Sequence, residues 1–187
     1  EPSHPASPGF PPDGGGRGPQ VQTQRLFVAL WPSDEVREKH VSYRKGWPHG
    51  PQARISADAG LHLTLHFIGA FPRSQLQALD GALASVPPER FTLRVGDPTV
   101  WPGGIAVLLA SPHEALARLH ARVGAALTTL GISLDARPFA PHVTFARRAA
   151  TTLPPAPAHI DWTAEDFVLA ESVPAPARGY RVLRRYR

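Results

Sequence analysis

The chain has 187 residues, a net charge of +5 and 42% hydrophobic residues, enough for one domain or two small lobes around a sizeable core. It contains no cysteine, which excludes disulfides, thiol nucleophiles and cysteine-held metals. No apolar run approaches the length of a membrane span and no secretory signal opens the chain, so a cytoplasmic protein with no membrane partner is expected.

Residues 1–24 are rich in Pro, Gly and Ser and cannot offset their ordering entropy by burial, so a flexible tail is expected there, with a single bilobal domain over 25–187. Arg25 to Leu30 reads as a buried strand. Ser33 is placed to cap a helix that has Asp34 and Glu35 in its first turn, Lys45 in its last and Gly46 as its stop. Trp47 to Gly60 reads as loop.

Leu61 to Gly69 then alternates apolar and polar residues without a break, the period-2 pattern of a half-buried strand. On a regular strand His62, Thr64 and His66 share one face, while Leu63, Leu65 and Phe67 share the other and anchor it in a core. Arg73 to Val86 carries leucines at helical spacing, and Phe91, Leu93 and Val95 alternate as a strand that ends in a turn over 97–103. Gly104 to Leu109 reads as a further buried strand. Ser111 to Glu114 reads as a capping box with Pro112 at the first helical position, opening a helix whose core face holds Leu116, Leu119, Val123, Leu127 and Leu130. His113 and His120 on this helix are expected to be solvated. A second alternating stretch follows, in which His142 and Thr144 share a face backed by Val143 and Phe145. A strand over 164–172 and a basic closing strand over 178–187 complete the chain.

The order strand, capped helix, loop, His-x-Thr strand thus occurs twice, over 25–68 and 104–147, and reads as an internal duplication. The expected fold is α+β and bilobal: two lobes of antiparallel sheet plus helices about a pseudo-two-fold axis, each giving one His-x-Thr strand to a shared groove. Either motif alone also suits an ordinary solvent-facing strand. Two of them, eighty positions apart with matching apolar flanks, point to a site.

Two facing imidazoles can divide acid and base work near neutral pH, and flanking hydroxyls can donate to oxygens that gain charge in a transition state. That inventory, with no activated nucleophile, fits in-line displacement at phosphorus by water or an alcohol. Eighteen of the twenty basic residues are Arg, which suits bidentate contacts to phosphate and an anionic partner such as nucleic acid; an arginine-biased genome has the same effect. The His62–His66 spacing would suit zinc on a helix, but on a strand the two rings start roughly 13 Å apart, so no metal and no cofactor are expected. The Ala146 that matches His66 in the second motif makes His66 a rim residue that meets phosphate. A serine hydrolase is disfavoured because no Gly-x-Ser-x-Gly is present.

The two motifs with their flanks, together with 25–30, 137–147 and the closing stretch 167–183, resemble the 2H phosphoesterase superfamily, and more narrowly the RNA 2′,3′-cyclic phosphodiesterases historically called 2′-5′ RNA ligases. This resemblance implies metal-independent opening of a terminal ribose 2′,3′-cyclic phosphate, on RNA or on a nucleotide, to a 2′-phosphate. By position His62 would be the acid toward the leaving 3′-oxygen and His142 the base acting on water, an assignment the residues alone leave open to inversion. Thr64 and Thr144 would hold the phosphate, Arg147 and Arg137 would neutralise it, and Phe139 would meet the base. Arg147 is out of phase with His142 and reaches the groove only where the strand bends or bulges. ATP or GTP as further ligands, 2′-5′ ligation in reverse and a non-catalytic RNA-binding module remain alternatives, and a monomer is expected.

Overall fold

The computed structural model describes residues 21–150 and 153–187. Nearly all of the expected tail lies outside the described residues, but Thr23 and Gln24 already belong to the first strand, where Gln24 is buried and donates to Glu171. The strands are β1 (Thr23–Leu30), β2 (Arg54–Ile55), β3 (Leu63–Pro72), β4 (Phe91–Trp101), β5 (Ile105–Ala110), β6 (His142–Arg147), β7 (Ile160–Ala164), β8 (Phe167–Ser172) and β9 (Tyr180–Tyr186); the helices are α1 (Asp34–Lys45), α2 (Leu76–Ala84) and α3 (Glu114–Thr128). All nine strands form one antiparallel sheet in the order β7-β4-β5-β6-β3-β1-β8-β9, with β2 pairing β6. The two expected lobes are therefore halves of a continuous sheet, and they meet where β3 pairs β6 at a single position, Leu63 against Val143.

Two of the helices reach across to the other half. α1 packs on β7 and α3 on β3, so each half is held by a helix that the other repeat contributes. Their apolar faces close one core with Leu26, Val28, Leu63, Leu65, Val143 and Phe145. The opposite sheet face carries a smaller cluster, Phe27, Ala29, Val168 and Ala170, with Trp31 and Val182 against it.

Several expectations change in detail. Ser33 does cap α1, accepting from the Val36 amide, but α3 begins at Glu114 with His113 as its cap: the imidazole Nδ1 accepts from the Ala115 amide at 3.1 Å. β4 runs on through the expected turn to Trp101, because a register shift at Gly96 absorbs the irregularity and lets residues 97–101 pair with β5. The strand expected over 164–172 is two strands, β7 and β8, at different positions in the sheet.

Candidate active site

The antiparallel register set by Leu63 and Val143 places His62 across from Thr144 and Thr64 across from His142. Leu63 and Val143 are buried on the helix side, so these four side chains point together to the other face. Each imidazole is pinned in the same way. The His62 Nδ1–H donates to the Gly60 carbonyl at 2.7 Å, and the His142 Nδ1–H donates to the Ala140 carbonyl at 2.6 Å. Carbonyls two residues upstream thus fix both tautomers and leave both Nε2 atoms to exchange protons. The Thr64 hydroxyl lies 3.1 Å from His62 Nε2 and donates to it while that ring is neutral.

The surroundings of the two rings differ. Trp31 lies flat on His62, 5.1 Å away and 4° from parallel, while Phe27 at 4.9 Å and Tyr180 edge-on at 4.9 Å complete an aromatic box. Burial in this box pushes the His62 pKa down to about 4, partly opposed by the Gly60 carbonyl and reinforced by the charge of His142. His142 has one aromatic neighbour among the described residues, Trp101 at 4.5 Å and 70°; its pKa is also lowered, by burial and then by the charge of Arg147. The charge of His142 is thus felt at His62, across the Leu63–Val143 pair. Sequence periodicity could not show the box, because Phe27 and Trp31, in and just after β1, and Tyr180, at the start of β9, come from distant parts of the chain.

Past Thr64 and Thr144 both strands break phase. In the β1–β3 pairing Thr64 faces Ala29 and His66 faces Val28, so Leu65 is an extra residue; in the β5–β6 pairing Thr144 faces Val107 and Ala146 faces Ala106, so Phe145 is extra. The two bulges occupy equivalent places in the two repeats and flip the side chains that follow. Arg147 thereby returns to the face of His142 and is exposed, whereas His66 does not share the face of His62 as regular alternation expects. His66 turns toward α3, is only 8% exposed, and its Nε2 pairs with the His120 carbonyl at 2.7 Å, while it still borders the cavity beside Thr64. Phe67, expected in the core, comes out on the groove face and is 65% exposed.

Beyond Leu63–Val143 the two central strands diverge. A cavity of about 330 Å³ fills the opening, lined by Thr64, Phe67, Trp101, His120, Phe139 and His142 among others. A larger hollow of about 550 Å³ lies near Asp34 and Arg185, but neither His-x-Thr motif borders it. Phe139 forms the end of a stack with His120, at 3.8 Å, and His66, at 4.1 Å from His120. His120 is therefore packed rather than solvated, and burial followed by the neighbouring His66 lowers its pKa to about 4. Arg137 borders the same cavity but is clamped by Asp135, whose carboxylate accepts from its Nε and Nη2; the guanidinium holds Asp135 down to about 2. Arg137 thus reaches the site with its charge already balanced.

A family model described as the 2′-5′ RNA ligase superfamily matches residues 23–172. The chain belongs to this superfamily. It is 30% identical to the RNA 2′,3′-cyclic phosphodiesterase of Escherichia coli (strain K12), over 88% of this chain and 97% of the relative, and 33% identical to the protein of the same name from Thermus thermophilus, over 79% and 81%. The crystal structure of E. coli LigT complexed with 3′-AMP superposes with a TM-score of 0.76 at 29% identity, covering 88% of this chain and 98% of that one. The superfamily match spans both His-x-Thr strands and ends with the last residue of β8, leaving Tyr180, one wall of the His62 box, outside it.

Proposed function

We propose that the chain hydrolyses terminal ribose 2′,3′-cyclic phosphates of RNA or nucleotides to 2′-phosphates, by acid and base catalysis between His62 and His142. The observation that carries this reading is the pair of imidazoles, each with Nδ1 tied to a carbonyl, displayed on adjacent strands beside two threonines. His142 Nε2 takes a proton from water as the water oxygen attacks phosphorus. The phosphorus–O3′ bond breaks in line, and His62 Nε2–H passes its proton to O3′.

Thr64 and Thr144 donate to the equatorial oxygens, and Arg147, brought to this face by its bulge, supplies positive charge. The box around His62 suits the acid role once an anion is bound. Flat contact with Trp31 and the phosphate charge both favour the imidazolium that burial disfavours in the free protein. Phe67 and Phe139, at the cavity beside Thr64, are the surfaces on which a base would stack.

The experiment is turnover of an oligonucleotide 2′,3′-cyclic phosphate in EDTA, read by phosphorus NMR. A 2′-phosphate product from the wild type, together with loss of at least about 10³-fold in His62→Ala and in His142→Ala while both remain folded, supports the reading. RNA binding without turnover would favour a non-catalytic module. The superfamily's description keeps a second reading, 2′-5′ joining of ends held together in the groove, and the same spectrum would report it as a new diester.

A further inference from the structure

We propose that Arg54, with Arg147 shared between it and the reacting phosphate, forms a second anion subsite, which holds the phosphodiester on the 5′ side of the terminal nucleotide and makes an RNA chain a better substrate than a cyclic mononucleotide. This rests on the reading of the two-histidine site given above. β2 is only two residues long, and it pairs with β6 so that Arg54 stands directly across from Arg147 and Ile55 across from Ala146. A bond from the Ser56 amide to the Phe145 carbonyl at 2.9 Å fastens the segment at the bulge. Directly opposed residues of an antiparallel pair share a face, with Cβ atoms about 5 Å apart, so the bulge that turns Arg147 toward His142 brings Arg54 to the same side.

Opposed like charges are destabilising, and this pair lacks the usual remedy. Ten arginines have a carboxylate partner, but neither Arg54 nor Arg147 forms an ion pair or a side-chain hydrogen bond among the described residues. Both are exposed. Two planar guanidiniums side by side present a double fork matched to phosphate. Arg147 lies three residues beyond Thr144, which the bulge at Phe145 shortens to about two strand steps, roughly 7 Å. That is the scale of one nucleotide of backbone, so a phosphate held there is the neighbour of the one between the histidines. The charge of Arg147 is also felt at His142, which places the subsite beside the reacting phosphate.

The test compares a dinucleotide ending in a 2′,3′-cyclic phosphate with the cyclic mononucleotide, in wild type and Arg54→Ala. The ratio of kcat/KM for dinucleotide over mononucleotide is expected to fall about tenfold in the variant. The slope of log affinity against log salt for the dinucleotide 2′-phosphate should lessen by about 0.7, the single-strand value for one phosphate contact. An unchanged ratio, whether both substrates lose equally or neither does, overturns the proposal. Should the wild type turn over neither substrate, the hydrolase reading fails. The ratio of affinities for the two 2′-phosphates then still decides the subsite, by the same fall or its absence.

Discussion

Binding of the cyclic phosphate should carry a proton to His62, by an amount that follows from the site. In the free protein the His62 pKa is about 4, so at pH 7 protonating it costs about 4 kcal/mol, three units at 1.36 kcal/mol each. A monoanion about 4 Å away at an effective dielectric near 20 returns about 4 kcal/mol. The two terms nearly cancel, which puts the His62 pKa in the complex near 7. About half a proton should then be taken up per ligand at pH 7, nearly one at pH 6 and almost none at pH 9. The assay is titration calorimetry on His142→Ala, which should bind the cyclic phosphate without opening it, in buffers of different ionisation enthalpy. The ligand stays a monoanion throughout, so the protons counted belong to the protein, and His62→Gln in the same background should abolish the uptake. Zero uptake at pH 6, or uptake that persists without His62, would refute this account of the box.

Because burial lowers both imidazoles in the free protein, kcat/KM should peak below pH 6.5 and fall as pH rises past the higher of the two values. kcat should peak at higher pH, since the bound anion raises them; coincident optima above pH 7.5 would contradict this. Acid should destabilise the fold between pH 6.5 and 4. There the unfolded chain binds protons that the native His62 and His120 refuse, so stability is full above pH 6.5 and His62 alone accounts for a loss of up to about 3 kcal/mol by pH 4. A flat urea midpoint across that window would count against it. Thr144→Val should lower kcat about 10²-fold with little change in melting temperature, and a fall below fivefold would remove Thr144 from the phosphate. Gly96→Ala would set a Cβ 1.9 Å from the Ala158 carbonyl oxygen, so a loss of about 3 kcal/mol is expected by denaturant melt; a change under about 0.5 kcal/mol would mean the two strands part freely there.

The site was legible in the chain as far as Thr64 and Thr144, because alternation with a period of two reports which side chains share a face only while the strand stays regular. At Leu65 and Phe145 it does not. A bulge is set by how neighbouring strands pair, here β1 with β3 and β5 with β6, and local pattern carries no trace of it. Hence regular alternation puts His66 on the groove face and Phe67 in the core, whereas Phe67 is exposed and His66 is buried beside α3 at the edge of the cavity. The duplication was visible in the order of elements, but not the exchange by which α1 packs on β7 and α3 on β3. His113 went unrecognised as a cap because imidazole rarely serves there. Arg54 had no signal at all: two residues of loop become a strand only because β6 extends beyond the end of β3 and leaves an open edge.

The most direct measurement follows the imidazole nitrogens by 15N NMR as inorganic phosphate is added. The Nε2 signals of His62 and His142 should shift together, with one dissociation constant and a stoichiometry of one, while the carbonyl-bound Nδ1 signals stay in place. A shift of only one ring, or of the two with separate constants, would mean that the histidines do not share a phosphoryl group.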